Sequence, residues 1–296
     1  MKRTLVTGGT GFIGQHLVGK LVKDGKKPIV VIRPGSDTTV FEQFSEDVDF
    51  WIFDGSHRSL ENCFAEWEVE IVFHLATCFV VNHEAEQIDN LVDSNITFGV
   101  KLVEAMTKSG VKKFVNVATN WQYYQSESYR PLNLYASTKQ AFEDILTYYS
   151  DAKQLRVASV ILFDTYGDND QREKLLPLLR SKHAGHMPID LSPGEQLMDL
   201  THVDQVVDAL LKAGERLEGN GELFQRYIAA TGKAKSLRET VESFCESYGL
   251  QPILSWGAAE YREREVFDIR IYEKFENLLK PEQHVDQNPK PLRKNN

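Results

Sequence analysis

Short apolar runs alternate along the first half of the chain with longer stretches in which apolar residues recur every three or four positions. The runs predict strands near Thr4–Thr7, Pro28–Ile32, Phe50–Phe53, Ile71–Leu75, Lys113–Val117 and Val157–Phe163, with amphipathic helices between them. That alternation implies parallel strands joined by right-handed crossovers: an α/β fold with a doubly wound parallel sheet, its ligand at the carboxyl ends of the strands. The rhythm changes after about Tyr166. A charged, proline-punctuated stretch leads to LMDLTHVDQVVDALL, then FQRYIAAT, then a helical segment over Ser236–Tyr248. The expected organisation is a main domain over residues 1–166, completed by strands and helices from about 197–230, and a smaller C-terminal substrate lobe from 167–196 and 231–280. The end, 281–296, is polar and proline-bearing and reads as a frayed, flexible tail.

Composition narrows the partners. The chain has 34 basic against 43 acidic residues, a net charge of −9, which argues against a nucleic-acid-binding surface but leaves room for an anionic substrate held by local arginines. No apolar run approaches membrane-spanning length and no apolar leader precedes the first strand, so the expectation is a soluble, cytoplasmic protein with no membrane partner. Cys63, Cys78 and Cys245 are odd in number and too widely spaced for a CxxC pair, so they indicate neither a disulfide framework nor a zinc site. At 296 residues the chain can bury a sizeable core, and it carries no internal repeat.

The first chemical motif is TGGTGFIG, Thr7 to Gly14, which follows the apolar pair Leu5-Val6 and opens the amphipathic stretch Phe12, Ile13, Leu17, Val18, Leu21. This is the strand–turn–helix setting of a phosphate-binding glycine loop. Gly8 lets the chain turn tightly, Gly11 lets the backbone approach a pyrophosphate, and Gly14 lets the helix pack on its strand, with free N–H groups and the helix dipole facing the anion.

The second strand ends at Arg33, 19 residues after Gly14. An acidic residue there suits a free ribose 2′-OH, whereas a basic one suits a 2′-phosphate, so Arg33 with Ser36 favours NADP(H) over a solvated loop charge. Asp54, closing the third strand in IFDGS, either accepts from the adenine amino group or caps its own loop. Further along, YASTK puts Tyr135 and Lys139 one helical turn apart, within reach of one group. A phenol titrates near 10, so using it near neutrality calls for a nearby cation that stabilises phenolate, and Lys139 can supply that field.

These pieces, with HLAT at His74–Thr77, Asn95 in the following helix and FVNVAT ending at Thr119, resemble an extended short-chain dehydrogenase/reductase of the NAD-dependent epimerase/dehydratase group acting on nucleotide sugars. The resemblance covers nearly the whole length and implies a Rossmann domain. By similarity Thr119 holds the sugar oxygen, Tyr135 is the acid/base, and Lys139 positions the nicotinamide ribose. The cofactor site it implies comprises Thr7, Gly8, Gly11, Phe12, Ile13, Gly14, Arg33, Ser36, Asp54 and Gly55, then Leu75, Ala76, Thr77, Asn95, Tyr135 and Lys139.

Departures narrow the choice of reaction. The family's 4,6-dehydratases place Asp-Glu directly after the Ser/Thr, whereas this chain has Asn120-Trp121; GDP-fucose synthases place a Cys just past it, and Cys78 falls on another strand. LNLYASTKQAFEDIL and LFDTYGDNDQREKLLPLL instead resemble CDP-abequose and CDP-paratose synthases and dTDP-4-keto-6-deoxyglucose reductases. The expected substrate contacts are Thr77, Thr119, Asn120, Asp164 and Leu175, with Arg172 and Lys174 on the diphosphate and Tyr261 and Arg262 from the second lobe, although such basic residues are more often simply solvated. The implied reaction is metal-free reduction by NADPH of the C4 keto group of a nucleotide-linked 4-keto-6-deoxyhexose. A 4-epimerase that retains its cofactor is the alternative, and a non-catalytic NADP sensor a more distant one. The family's usual assembly, a homodimer through the long helices, is the expected state.

Overall fold

The run RTLVT forms β1 (Arg3–Thr7), in which Leu5 and Val6 are fully buried because helices cover both faces of the strand. The structure, a computed structural model, describes residues 2–168, 170–172, 174–184, 187–219 and 221–279. After β1, α1 (Phe12–Lys23) crosses to β2 (Ile29–Ile32), followed by β3 (Asp49–Ile52), α2 (His57–Glu66) and β4 (Val69–His74). Next, α3 (Ile88–Val92) continues through a π-turn (Asp93–Thr97) into α4 (Phe98–Lys108), β5 (Lys113–Thr119), α5 (Leu134–Lys153) and β6 (Arg156–Leu162). The remainder is β7 (Asp164–Tyr166), α6 (Leu175–Ala184), β8 (Pro188–Leu191), β9 (Leu197–Met198), β10 (Leu200–His202), α7 (Val203–Arg216), β11 (Phe224–Ala229), β12 (Lys235–Ser236), α8 (Leu237–Tyr248), β13 (Ile253–Trp256) and β14 (Glu276–Asn277).

Eight strands make one parallel sheet in the order β14-β11-β6-β5-β4-β1-β2-β3. The six strands read from the apolar runs are β1 to β6, displaced by no more than two residues at either end. Strand order reverses between β1 and β4, the switch point where a doubly wound sheet opens a crevice at its carboxyl edge. One face is covered by α1 and α7 through Leu17, Val18, Leu21, Val206 and Leu210. The other is covered by α2, α4 and α5 through Leu60, Leu102, Met106, Phe142 and Leu146. Each helix thus buries its apolar stripe against the sheet, which is what fixes the three layers.

The smaller lobe has its own core, where Leu179 of α6, Ile189 and Leu191 of β8 and Val241 and Phe244 of α8 pack together. Two-stranded pairs β8–β13 and β9–β12 frame it. One expectation needs correction. Residues 231–280 do not all belong to this lobe: β14 joins the central sheet beside β11, and Asn277 ties it there by donating from Nδ2 to the Ala230 carbonyl at 2.8 Å. Cys78, expected on a strand, lies in the loop after β4. The tail expected over 281–296 lies outside the described residues. Among the described residues no helix is long and apolar enough to cross a membrane.

Candidate functional site

A cavity of about 810 Å³ opens at the carboxyl ends of β1, β2, β4, β5 and β6. Its floor is the glycine loop. Gly8 has φ +69°, and a Cβ on it would lie 2.5 Å from the Ala76 nitrogen, so only glycine lets the loops after β1 and β4 pass this closely. A Cβ on Gly14 would stand 2.1 Å from the Gly8 carbonyl oxygen, which brings α1 directly onto the loop. Gly11 is the N-cap of α1, with no side-chain cap and no acidic residue in the first turn. The helix start therefore turns N–H groups and the positive end of its dipole toward the cavity that Gly11, Phe12, Ile13 and Gly14 line, a cradle whose shape and charge fit a pyrophosphate.

At the end of β2, Arg33 and Ser36 also line the cavity. The Arg33 N–H donates to Ser36 Oγ and the Ser36 N–H to the Arg33 carbonyl, each at 3.1 Å, so this turn holds the exposed guanidinium at the rim. Asp54 and Gly55 are off the wall. Asp54 Oδ1 accepts the Ser56 N–H at 2.8 Å, and the bonds to Ser56 hold its carboxyl below the usual range. Of its two alternatives, the geometry displays loop capping. The Gly55 carbonyl accepts from Lys101 Nζ at 2.8 Å.

Thr119 and Tyr135 both line this cavity. Thr119 ends β5 and caps the following turn: its Oγ1 accepts the Trp121 N–H at 3.3 Å, and its own N–H donates to Gln122 Oε1 at 3.0 Å. Asn133 caps α5 through the Ala136 N–H at 3.0 Å and donates to the Val81 carbonyl at 2.9 Å, pinning the turn that carries Tyr135. Burial pushes the Tyr135 phenol up to about 12, with Thr77 opposing and Cys78 adding to the rise. The Lys139 charge also opposes protonation of His74. The Lys139 amine is brought down to about 8 by burial, against the pull of Glu143.

Three expected cofactor contacts, Thr7, Asn95 and Lys139, sit behind the wall rather than on it. Thr7 Oγ1 bonds His74 Nδ1 at 2.8 Å and accepts the Ala76 N–H at 3.2 Å. Asn95, in the π-turn, accepts from the Thr77 hydroxyl at 2.9 Å and the Cys78 N–H at 2.7 Å, and donates to the Cys78 carbonyl and Thr138 Oγ1. Its amide is fully used in clamping the loop that brings Leu75, Ala76 and Thr77 to the cavity.

The wall also includes Asn120, Asp164, Arg172 and Lys174. Burial raises the Asp164 carboxyl, with Lys174 chief among the groups opposing it. Arg172 is bidentate to Asp170 at 2.7 Å, donates to the Thr165 carbonyl at 2.7 Å and lies over the Phe12 ring at 4.2 Å. Leu175, Tyr261 and Arg262 do not reach the wall. Leu175 packs into the small-lobe core, the Glu195 N–H donates to the Tyr261 hydroxyl at 3.3 Å, and Arg262 lies 3.8 Å from Glu265. Cys78, Phe79 and Trp121 line the cavity without having been singled out for it. Their one sequence signal was adjacency to HLAT and to Thr119.

A family model described as NAD dependent epimerase/dehydratase family matches residues 4–225. Among curated proteins, CDP-abequose synthase of Yersinia pseudotuberculosis is 26% identical over 267 residues, covering 89% of this chain and 90% of its own. UDP-glucose 4-epimerase of Mycolicibacterium smegmatis is 28% identical over 253 residues, covering 80% of each. The solved UDP-glucose 4-epimerase of Thermotoga maritima, with UDP-glucose, superposes with a TM-score of 0.78 at 25% identity, covering 92% of this chain and 90% of that one.

Proposed function

The chain belongs to the NAD-dependent epimerase/dehydratase family, and on that premise we propose that it is an NADPH-dependent reductase of the C4 keto group of a nucleotide-linked 4-keto-6-deoxyhexose. The observation that carries the reading is one cavity lined at once by the glycine loop, by Arg33 and Ser36, and by Thr119 and Tyr135. The glycine loop and the α1 N-terminus hold the pyrophosphate, Arg33 and Ser36 the 2′-phosphate, and Lys139 the ribose from behind Tyr135. NADPH, when bound, supplies the hydride. Thr119 donates to the C4 oxygen and Tyr135 delivers the proton that the developing alkoxide needs; its high pKa keeps it protonated until then. Where the family's dehydratases carry Asp-Glu, the wall presents Asn120 and Trp121, neither able to move the protons of water elimination.

Similarity to CDP-abequose synthases supports the reductase, and similarity to UDP-glucose 4-epimerases supports the rival, an epimerase that returns the hydride it removes. Incubation with a 4-keto-6-deoxyhexose nucleotide and C4-deuterated NADPH separates them. The reductase consumes one NADPH per sugar and places deuterium at C4. Full conversion of a non-keto sugar nucleotide with catalytic NADP⁺ establishes the epimerase instead. A homodimer through α4 and α5 belongs to the same reading, supported by the exposed Tyr148 on α5, and sedimentation tests it.

A further inference from the structure

Thr7, His74, Asn116, Ser159 and Arg226 are register partners on β1, β4, β5, β6 and β11, so this polar file crosses five strands on one face of the sheet. Helix α5 lies on that face and sets Glu143, fully buried, above Ser159. Glu143 Oε1 accepts the Ser159 hydroxyl at 2.5 Å, and Ser159 Oγ accepts from Asn116 Nδ2 at 2.9 Å. Its Oε2 accepts from Gln122 Nε2 at 3.0 Å and from Arg226 Nε at 3.3 Å. Gln122 turns its other end to the Thr119 N–H at 3.0 Å. Lys139 stands four residues before Glu143 on the same side of α5. A buried carboxylate is costly, and an apolar side chain would join α5 to the sheet at less expense in solvation.

We propose that Glu143 is a positioning residue of this site: through Gln122 its carboxylate holds the Thr119 backbone in place, and from one turn along α5, buried like Lys139, it sets the charge beside that amine. The inference rests on the reading that Thr119, Tyr135 and Lys139 act together. Burial alone disfavours the Lys139 ammonium, and Glu143 is the group that opposes this. The other titratable groups around them do not replace it. His74, from β4, is held neutral by burial, Tyr135 on α5 stays protonated, and Arg226 from β11 is a competing cation on the same carboxylate.

Two charge changes of opposite sign test the idea. The Lys139 signal in protein labelled with ¹³Cε-lysine, assigned with Lys139→Arg, reports its titration by NMR without any catalytic assay. Glu143→Gln should move the Lys139 midpoint down by about one pH unit, and Arg226→Gln should move it up. The high-pH limb of turnover should follow in the same directions. A purely structural Glu143 would lower stability and leave the midpoint where it is. If Glu143→Gln does not fold, Arg226→Gln decides alone: a rise supports the proposal. An unchanged midpoint in the folded variants, or a fall in Arg226→Gln, overturns it. Loss of the functional reading itself would show separately, as undiminished turnover by Tyr135→Phe.

Discussion

Phe79 meets Tyr135 edge to face, ring centroids 5.0 Å apart and planes at 78°, and Trp121 meets the same ring at 6.3 Å. The ring is thus held by contacts that do not involve the hydroxyl, whose own neighbour is Thr77. Tyr135→Phe should therefore fold as the native chain does and bind NADPH with nearly unchanged affinity. Loss of a positioned proton donor should lower turnover by roughly 10²–10⁴. Single-turnover kinetics with cofactor titration check both halves, and near-native turnover would remove Tyr135 from the chemistry.

Two glycines of α1 should respond to alanine with opposite signs. At Gly14 the new Cβ would overlap the Gly8 carbonyl, whereas at Gly19 its nearest neighbour is the Phe44 ring at 3.8 Å. Gly14→Ala should cost on the order of 2–3 kcal/mol and abolish NADPH binding, because the loop itself must move. Gly19→Ala should add about 0.5–1 kcal/mol by its gain in helix propensity and leave binding alone. Denaturant unfolding of both variants, beside cofactor titrations, makes the comparison.

His74 should make the protein acid-sensitive. Its ring is buried among Phe98, Phe114 and Phe142, and burial brings its pKa down to about 3 from 6.5. The unfolded chain therefore binds a proton that the folded chain does not, so this contribution is complete above pH 6.5 and is lost as pH falls from 6.5 toward 3. Between pH 7.5 and 5 the loss should be about 2 kcal/mol. Denaturation of the native chain and of His74→Gln at the two pH values tests it: the variant should show a shallower fall, and equal slopes would assign the acid sensitivity elsewhere.

The parts of this molecule that sequence made legible are those governed by backbone and by burial on both faces. Strands β1 to β6 stood out because parallel strands covered on two sides are continuous apolar runs. Strand β14 did not: two residues, Glu276 and Asn277, have no periodicity, and their place is set by hydrogen bonds to β11 from another part of the chain. The same division runs through the site. Gly8 and Gly14 are required by close approach, which a motif records, whereas Phe79 reaches the cavity from a loop without regular pattern. Arg172 read as an anion contact, but Asp170, two residues earlier, already occupies its guanidinium fork. Glu143 carries no signal in the sequence, since only the sheet behind it reveals that it is buried.

Cofactor choice should reside in Arg33. Its backbone is fixed by the reciprocal bonds with Ser36, while its side chain is exposed at the rim where β2 ends, so a substitution there alters charge with little effect on packing. If the guanidinium makes charge-assisted bonds to the 2′-phosphate, Arg33→Ala should weaken NADPH binding by about 1.5–3 kcal/mol, roughly 10- to 100-fold. NADH binding should hardly change, because its ribose offers no charge for Arg33 to meet. The native preference for NADPH should also shrink with added salt, as screening weakens an exposed charge pair. Titration of both cofactors into the native and variant proteins at two ionic strengths measures all of this. Equal losses for NADPH and NADH in Arg33→Ala would show that the residue shapes the adenosine pocket in general and does not select the phosphate.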